Sequence, residues 1–194
     1  MYAYLQGKFV DKTPAQVQLD VNGVGYEVNI SLHTYSFIQK LDEGKLFTWL
    51  HIKEDGHTLY GFFDKAEKEM FVQLIGVSGI GAATARMMLS SLRPDEIAAA
   101  IMQGNVKLLE SIKGIGKKTA ERLVLELKDK MGKASYEKNI VAPEGNKLGL
   151  DALNALTALG ISKQLAEQAI QKIILAEPHV SDLEDLIKKA LKAI

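Results

Sequence analysis

The sequence predicts an α+β multidomain chain, and three observations carry that prediction. Turn residues punctuate five strand-like runs within the first 63 residues. Apolar residues then recur at helical spacing as far as residue 132, and a Gly- and Pro-bearing stretch separates these from three short amphipathic helices. With 47% hydrophobic and 25% charged residues over 194 positions, the composition is that of a globular protein.

The strands come first. Tyr2–Val10 reads as a strand ended by Asp11-Lys12-Thr13-Pro14, and Val17, Leu19 and Val21 alternate with polar residues, so one face is buried. Asn22-Gly23 and Gly25 make a turn before Tyr26–Ile30. A helical stretch around Leu32–Ile38 follows, and Leu46–Ile52 with Thr58–Phe63 forms a last hairpin joined near Glu54-Asp55-Gly56. Five strands in so short a span predict an OB-type β-barrel over residues 1–63, with a small open sheet as the plainer alternative.

Helices fill residues 64–132. Asp64 suits the cap of a helix through Glu69, Phe71, Leu74 and Ile75, and helical patterns recur at Thr84–Ser91, Pro94–Met102 and Thr119–Met131. Pro94 stands at a first-turn position, where its missing N–H costs nothing. Residues 133–147 hold few large apolar side chains and include Pro143, Gly145 and Asn146, the composition of a flexible linker. Residues 148–194 read as a C-terminal three-helix bundle, with helices at Leu148–Leu159, Lys163–Leu175 and Ser181–Leu191.

The net charge is zero, but it is unevenly spread. Residues 1–63 carry five Lys/Arg against seven Asp/Glu, residues 64–133 twelve against nine, and residues 134–194 seven against eight. The basic surplus coincides with an internal repeat. Val77-Ser78-Gly79-Ile80-Gly81-Ala82-Ala83-Thr84-Ala85 and Ile112-Lys113-Gly114-Ile115-Gly116-Lys117-Lys118-Thr119-Ala120 match in register, each between helical patterns. The glycines permit a tight bend and close approach to a surface. Ile80 or Ile115 plugs the bend into the helix pair. The following helix then begins with unpaired N–H groups and the positive end of its dipole, a pocket for one anion. Two such pockets in series suit successive DNA phosphates, so the central domain reads as a tandem helix-hairpin-helix domain that binds DNA without reading bases. The residues assigned to phosphate binding are Ser78, Gly79, Ile80, Gly81, Thr84, Lys113, Gly114, Ile115, Gly116, Lys117, Lys118, Thr119 and Arg122.

Along essentially its whole length the chain resembles the RuvA family, the Holliday-junction-binding subunits of the bacterial branch-migration machine. The residues that carry the resemblance are Met1–Gly7, Ile52-Lys53-Glu54-Asp55 with Leu59-Tyr60-Gly61-Phe62, the two hairpins with Lys113–Leu123, and Ala158-Leu159-Gly160-Ile161 with Ala166. The resemblance implies a homotetramer that holds a four-way junction open and planar, recruits the hexameric RuvB ATPase, and serves recombination, DNA repair and the SOS response, with the RuvC resolvase as a further partner. It also turns Glu54 and Asp55, by themselves only a polar turn, into an acidic pin that repels phosphates at the crossover. The tail is implied to contact the motor, with Leu156, Leu159, Ile170 and Ile173 as candidates, although most of that stripe also reads as bundle core. Family members often carry Pro and Lys just after the first hairpin, where this chain has Ala82 and Ala83. The first hairpin is therefore expected to rely on main-chain groups.

Other chemistries fit poorly. A nucleotide-binding P-loop needs Gly five residues before Gly116-Lys117, and Ser111 stands there. Gly79-Ile80-Gly81 lacks the third glycine of a dinucleotide fingerprint. His33, His51, His57 and His179 have no metal-ligand spacing, and there is no cysteine, so neither metal nor other cofactor is expected. Single-strand binding on the barrel would need exposed aromatics among basic residues, and the barrel segment is net negative. Met87, Met88 and Leu89 read as helix core. No apolar run approaches the roughly 20 residues of a membrane span, and the opening residues lack the pattern of a secretory leader, so a cytoplasmic protein is expected. The alternative reading is a general single-strand or duplex DNA-binding protein.

Overall fold

Alternation of apolar and polar residues builds β1 (Tyr4–Lys12), β2 (Gln16–Val21), β3 (Val24–Ile30), β4 (Glu43–Lys53) and β5 (Gly56–Phe62) into a closed barrel of order β1-β2-β3-β5-β4, as seen in the computed structural model. Residues 2–54, 56–139, 147–177 and 182–194 are described, with backbone alone over 130–139 and at 147. Asn22 and Gly23 both take positive φ, 53° and 85°, which makes the β2–β3 turn match strand twist. At Gly7 a β-carbon would stand 1.9 Å from the Asp20 carbonyl oxygen, so only glycine lets β1 lie that close to β2. The β1–β2 register shifts between Phe9 and Asp11, a bulge that helps β1 pair with both β2 and β4. β3 and β5 pair in parallel, after α1 (Leu32–Ile38) has crossed between β3 and β4. Leu5, Phe9, Val17, Leu19, Val28, Ile30, Leu46 and Leu59 fill the barrel, and Ile38 of α1 is buried with them.

Strand alternation also joins the barrel to the helices. Leu59 faces the barrel core, while Tyr60 and Phe62 belong to the core of the helical part, where the Phe62 ring lies 4.9 Å from that of Phe71. The helices are α2 (Lys65–Ile75), α3 (Ala82–Ser91), α4 (Pro94–Gln103), α5 (Val106–Glu110) and α6 (Lys117–Asn139). Asp64 caps α2 by accepting the Glu67 N–H at 2.7 Å, and Pro94 opens α4. Two features depart from the periodicity. α5 is only five residues long, too short for a repeating apolar pattern; its markers are the left-handed Gly104 and the cap at Asn105, whose side chain accepts the Leu108 N–H. α6 continues through Asn139, seven residues into the stretch read as linker. Gly132 costs about 1 kcal/mol in a helix, and the residues after it are ordinary helix formers. The remainder of the expected linker, 140–146, lies outside the described residues, and with it Pro143, Gly145 and Asn146.

The chain divides into two compact units, Met1–Ser135 and Tyr136–Ile194. In the second, α7 (Lys147–Ala158), α8 (Lys163–Ala176) and α9 (Leu183–Ala193) bury a small core of Ala152, Leu156, Ala166, Ala169, Ile170, Leu186 and Ala190. Among the described residues no helix is long and apolar enough to cross a membrane.

Candidate nucleic-acid interface

The two Gly-Ile-Gly bends adopt one backbone geometry. Gly79 and Gly114 have φ of 94° and 93°, a conformation open to glycine and strained for other residues. The Ile80 N–H donates to the Val77 carbonyl at 3.1 Å, and the Ile115 N–H to Ile112 at 3.0 Å. The first helical bonds are then Ala85 N–H to Gly81 and Ala120 N–H to Gly116, both 2.9 Å. The amides of residues 81–84 and 116–119 therefore precede any intrahelical acceptor. Gly81 caps α3 with no side-chain bond, and Ser78, Gly79, Gly81, Gly114 and Gly116 are exposed.

This geometry sorts the expected phosphate ligands. Ile80 and Ile115 are buried plugs whose N–H groups are already taken, so they shape the pockets and do not donate to them. Lys113, Lys117, Lys118 and Arg122 are exposed. Thr84 and Thr119 are half-buried, each against the opposite bend. Thr119 Oγ1 lies 3.8 Å from where a Gly79 β-carbon would stand, and Thr84 Cγ2 lies 3.8 Å from that of Gly114. The hairpins are thus neighbours, each resting on the helix that follows the other. Ala82, in register with Lys117, is buried, whereas Ala83, in register with Lys118, is exposed.

Three positioning residues escaped the sequence reading. Arg86 of α3 donates through Nη1 to the Ala15 carbonyl and to Asn29 Oδ1, both at 2.9 Å, and Ser90 Oγ accepts the Leu32 N–H at 3.1 Å; together they fasten α3 to the barrel. Glu67 of α2 is fully buried. Its carboxylate accepts from Ser31 Oγ, from Thr34 Oγ1 at 2.5 Å and from the Phe63 N–H at 3.3 Å. Burial pushes this carboxyl up from the usual glutamate range, opposed by the Ser31 and Thr34 hydrogen bonds, the charge of His33 and the Phe63 amide. One signal was available: Glu67, Met70, Phe71 and Leu74 follow the spacing of a buried stripe, so a carboxylate sits on the apolar face of α2. Nothing in the sequence pointed to Arg86, whose partners lie far along the chain.

Elsewhere the expected residues divide. Lys53 pairs with Gly56, which puts exposed Glu54 at the tip of the β4–β5 hairpin, while Asp55 lies outside the described residues. Of the barrel aromatics, Phe9, Tyr60 and Phe62 are buried, and Tyr2 and Tyr4 are exposed. In the tail, Leu156 and Ile170 are core and Ile173 packs against that core, because a bundle this small spends its apolar stripe on its own interior. Leu159 alone of the four candidates stands out, 64% exposed. Among the described residues no cluster of His, Cys, Asp or Glu could hold a metal ion.

Known proteins match this arrangement part by part. Residues 1–61 match a family model described as the RuvA N terminal domain, residues 71–129 a SAM-like helix-hairpin-helix tandem, and residues 150–194 the RuvA C-terminal domain. The chain is similar to proteins called Holliday junction branch migration complex subunit RuvA. That of Flavobacterium psychrophilum is 50% identical over 192 residues and that of Cytophaga hutchinsonii 47% over 197, each covering 99% of both chains. That of Christiangramia forsetii is 44% identical over the full length of both. Identity at this level over whole chains, with the same three parts in the same order, means that this chain belongs to the RuvA family.

Proposed function

We propose that the chain is the non-catalytic DNA-holding subunit of a Holliday junction branch migration complex. Residues 64–132 grip backbone phosphates of a four-way junction without regard to base sequence. Residues 1–63 form the centre of a homotetramer that keeps the junction open and planar, with Glu54 and Asp55 of four copies gathered at its axis. Residues 148–194 recruit the hexameric RuvB ATPase, and RuvC joins to resolve the junction. The setting is recombination and repair in the cytoplasm. The single observation that carries this reading is the duplicated bend, which offers two sets of uncommitted amides side by side. The names of the full-length relatives agree with it. For the motor contact the apolar side chains available among the described residues include Leu159, Leu165, Ile174 and Leu175, which are exposed, in place of buried Leu156 and Ile170.

A gel-shift comparison of four-way junction, duplex and single strand tests the proposal. Junction is expected to bind most tightly, regardless of sequence, with affinity falling steeply as salt rises. Equal affinity for all three, or indifference to salt, would contradict it. The purified chain should show only background ATP hydrolysis.

A further inference from the structure

We propose that Arg122, a residue of the second repeat, is the phosphate-binding cation of the first hairpin. The inference rests on the phosphate-binding reading of the two bends. The second bend has its own lysines at 117 and 118, whereas the first is followed by Ala82 and Ala83 and preceded by Ser78. Its main-chain pocket is the same but carries no charge of its own.

The packing of the repeats supplies one. Thr119, on the first turn of α6, lies against Gly79, so α6 starts beside the first bend. Arg122 follows Thr119 by three residues and shares its helix face. Its Nη1 reaches across to the Ser78 carbonyl at 3.4 Å, while its Nε stands 3.9 Å from Glu126 Oε1. The side chain is 53% exposed. A guanidinium has five N–H donors, and one long bond to a carbonyl leaves the others able to meet a phosphate seated on the amides of residues 81–84. The arrangement is not reciprocal. Met87 occupies the register of Arg122 in the first repeat, so no matching cation reaches the second bend.

The test is a rescue experiment on the full chain with four-way junction and duplex DNA, following affinity across salt concentrations and thermal stability. Arg122→Ala is expected to weaken binding to both DNAs about tenfold and to flatten the logarithmic salt dependence by about one. Ala83→Lys, which copies the register of Lys118, should gain more affinity in the Arg122→Ala background than in the wild type. Arg122→Gln keeps a donor for Ser78 without the charge and should bind as weakly as Arg122→Ala. Three results would overturn the assignment: Arg122→Gln binding like wild type, an equal gain from Ala83→Lys in both backgrounds, or an unchanged salt slope in Arg122→Ala while Lys118→Ala weakens binding. If Lys118→Ala and Arg122→Ala both leave binding unaltered, the phosphate-binding reading itself has failed.

Discussion

Gly79 and Gly114 make the same left-handed turn, yet the helices they introduce are held in different ways. α3 is fastened to the barrel through Arg86 and Ser90, and its first turn is uncharged. α6 opens on two exposed lysines and leans back on the first bend through Thr119 and Arg122. The two copies share the main-chain bend, which needs only Gly-Ile-Gly and a helix start, and differ in the side chains around it. On the proposed function, the first copy would fix where DNA lies relative to the barrel tip that carries Glu54, and the second would supply most of the attraction.

The largest effect should come from removing that attraction. Lys117→Ala with Lys118→Ala is expected to weaken binding to junction and duplex by about a hundredfold, about 3 kcal/mol. The slope of log affinity against log salt should flatten by about 1.8. Gel shifts at several salt concentrations measure both, and a slope that does not move would show that the second bend does not carry the charge.

The anchored copy should fail differently. Glu67→Ala leaves the Ser31 and Thr34 hydroxyls without their buried acceptor and should cost about 2 kcal/mol of stability in chemical denaturation. Junction preference should fall more than duplex affinity, because the joint between barrel and α2 loosens while the bends survive. Glu67→Gln sharpens the point through pH. The folded-state pKa of Glu67 is raised, so the folded protein binds that proton more tightly than the unfolded chain. The stability contributed is complete below the ordinary glutamate value and is lost as pH rises through the raised folded value. Denaturation of the wild type should show that decline, and Glu67→Gln should lack it; an identical pH profile for the two would remove the buried carboxylate from the account.

A third comparison asks whether the two bends are one structure. Gly79→Ala and Gly114→Ala should each cost about 1–2 kcal/mol, and by similar amounts, since the conformations match and no neighbour crowds either β-carbon. A large inequality in melting experiments would mean that surroundings, not the bend, set the cost.

What could be read from the sequence follows the range of the interactions. Val17 and Leu19, Asn22-Gly23, Asp64 before α2 and the repeat itself all act within a few residues, and each stands where its pattern placed it. The bends are main-chain features of a short motif, so their geometry was legible for the same reason. Arg86, Glu67 and the swap of Arg122 onto the first bend depend on which elements meet in space. The tail shows a further limit. A stripe at helical spacing marks a buried face without saying what buries it, and for Leu156 and Ile170 the answer is the bundle itself. α6 shows that one glycine in a run of helix formers does not end a helix.

The smallest predicted effect separates the two threonines. Thr119 approaches Gly79 with hydroxyl and methyl alike, whereas at Gly114 only the methyl of Thr84 makes the approach. On the proposed function the Thr84 hydroxyl would be the freer of the two to meet a phosphate, and it belongs to the bend that lacks lysines. Thr84→Val should lower DNA affinity by about two- to threefold, and Thr119→Val should leave it within about twofold of wild type, with stability changed by less than about 0.5 kcal/mol in either case. Fluorescence titrations can resolve that difference. Equal losses would mean that both hydroxyls do the same work, and that the two bends differ in charge alone.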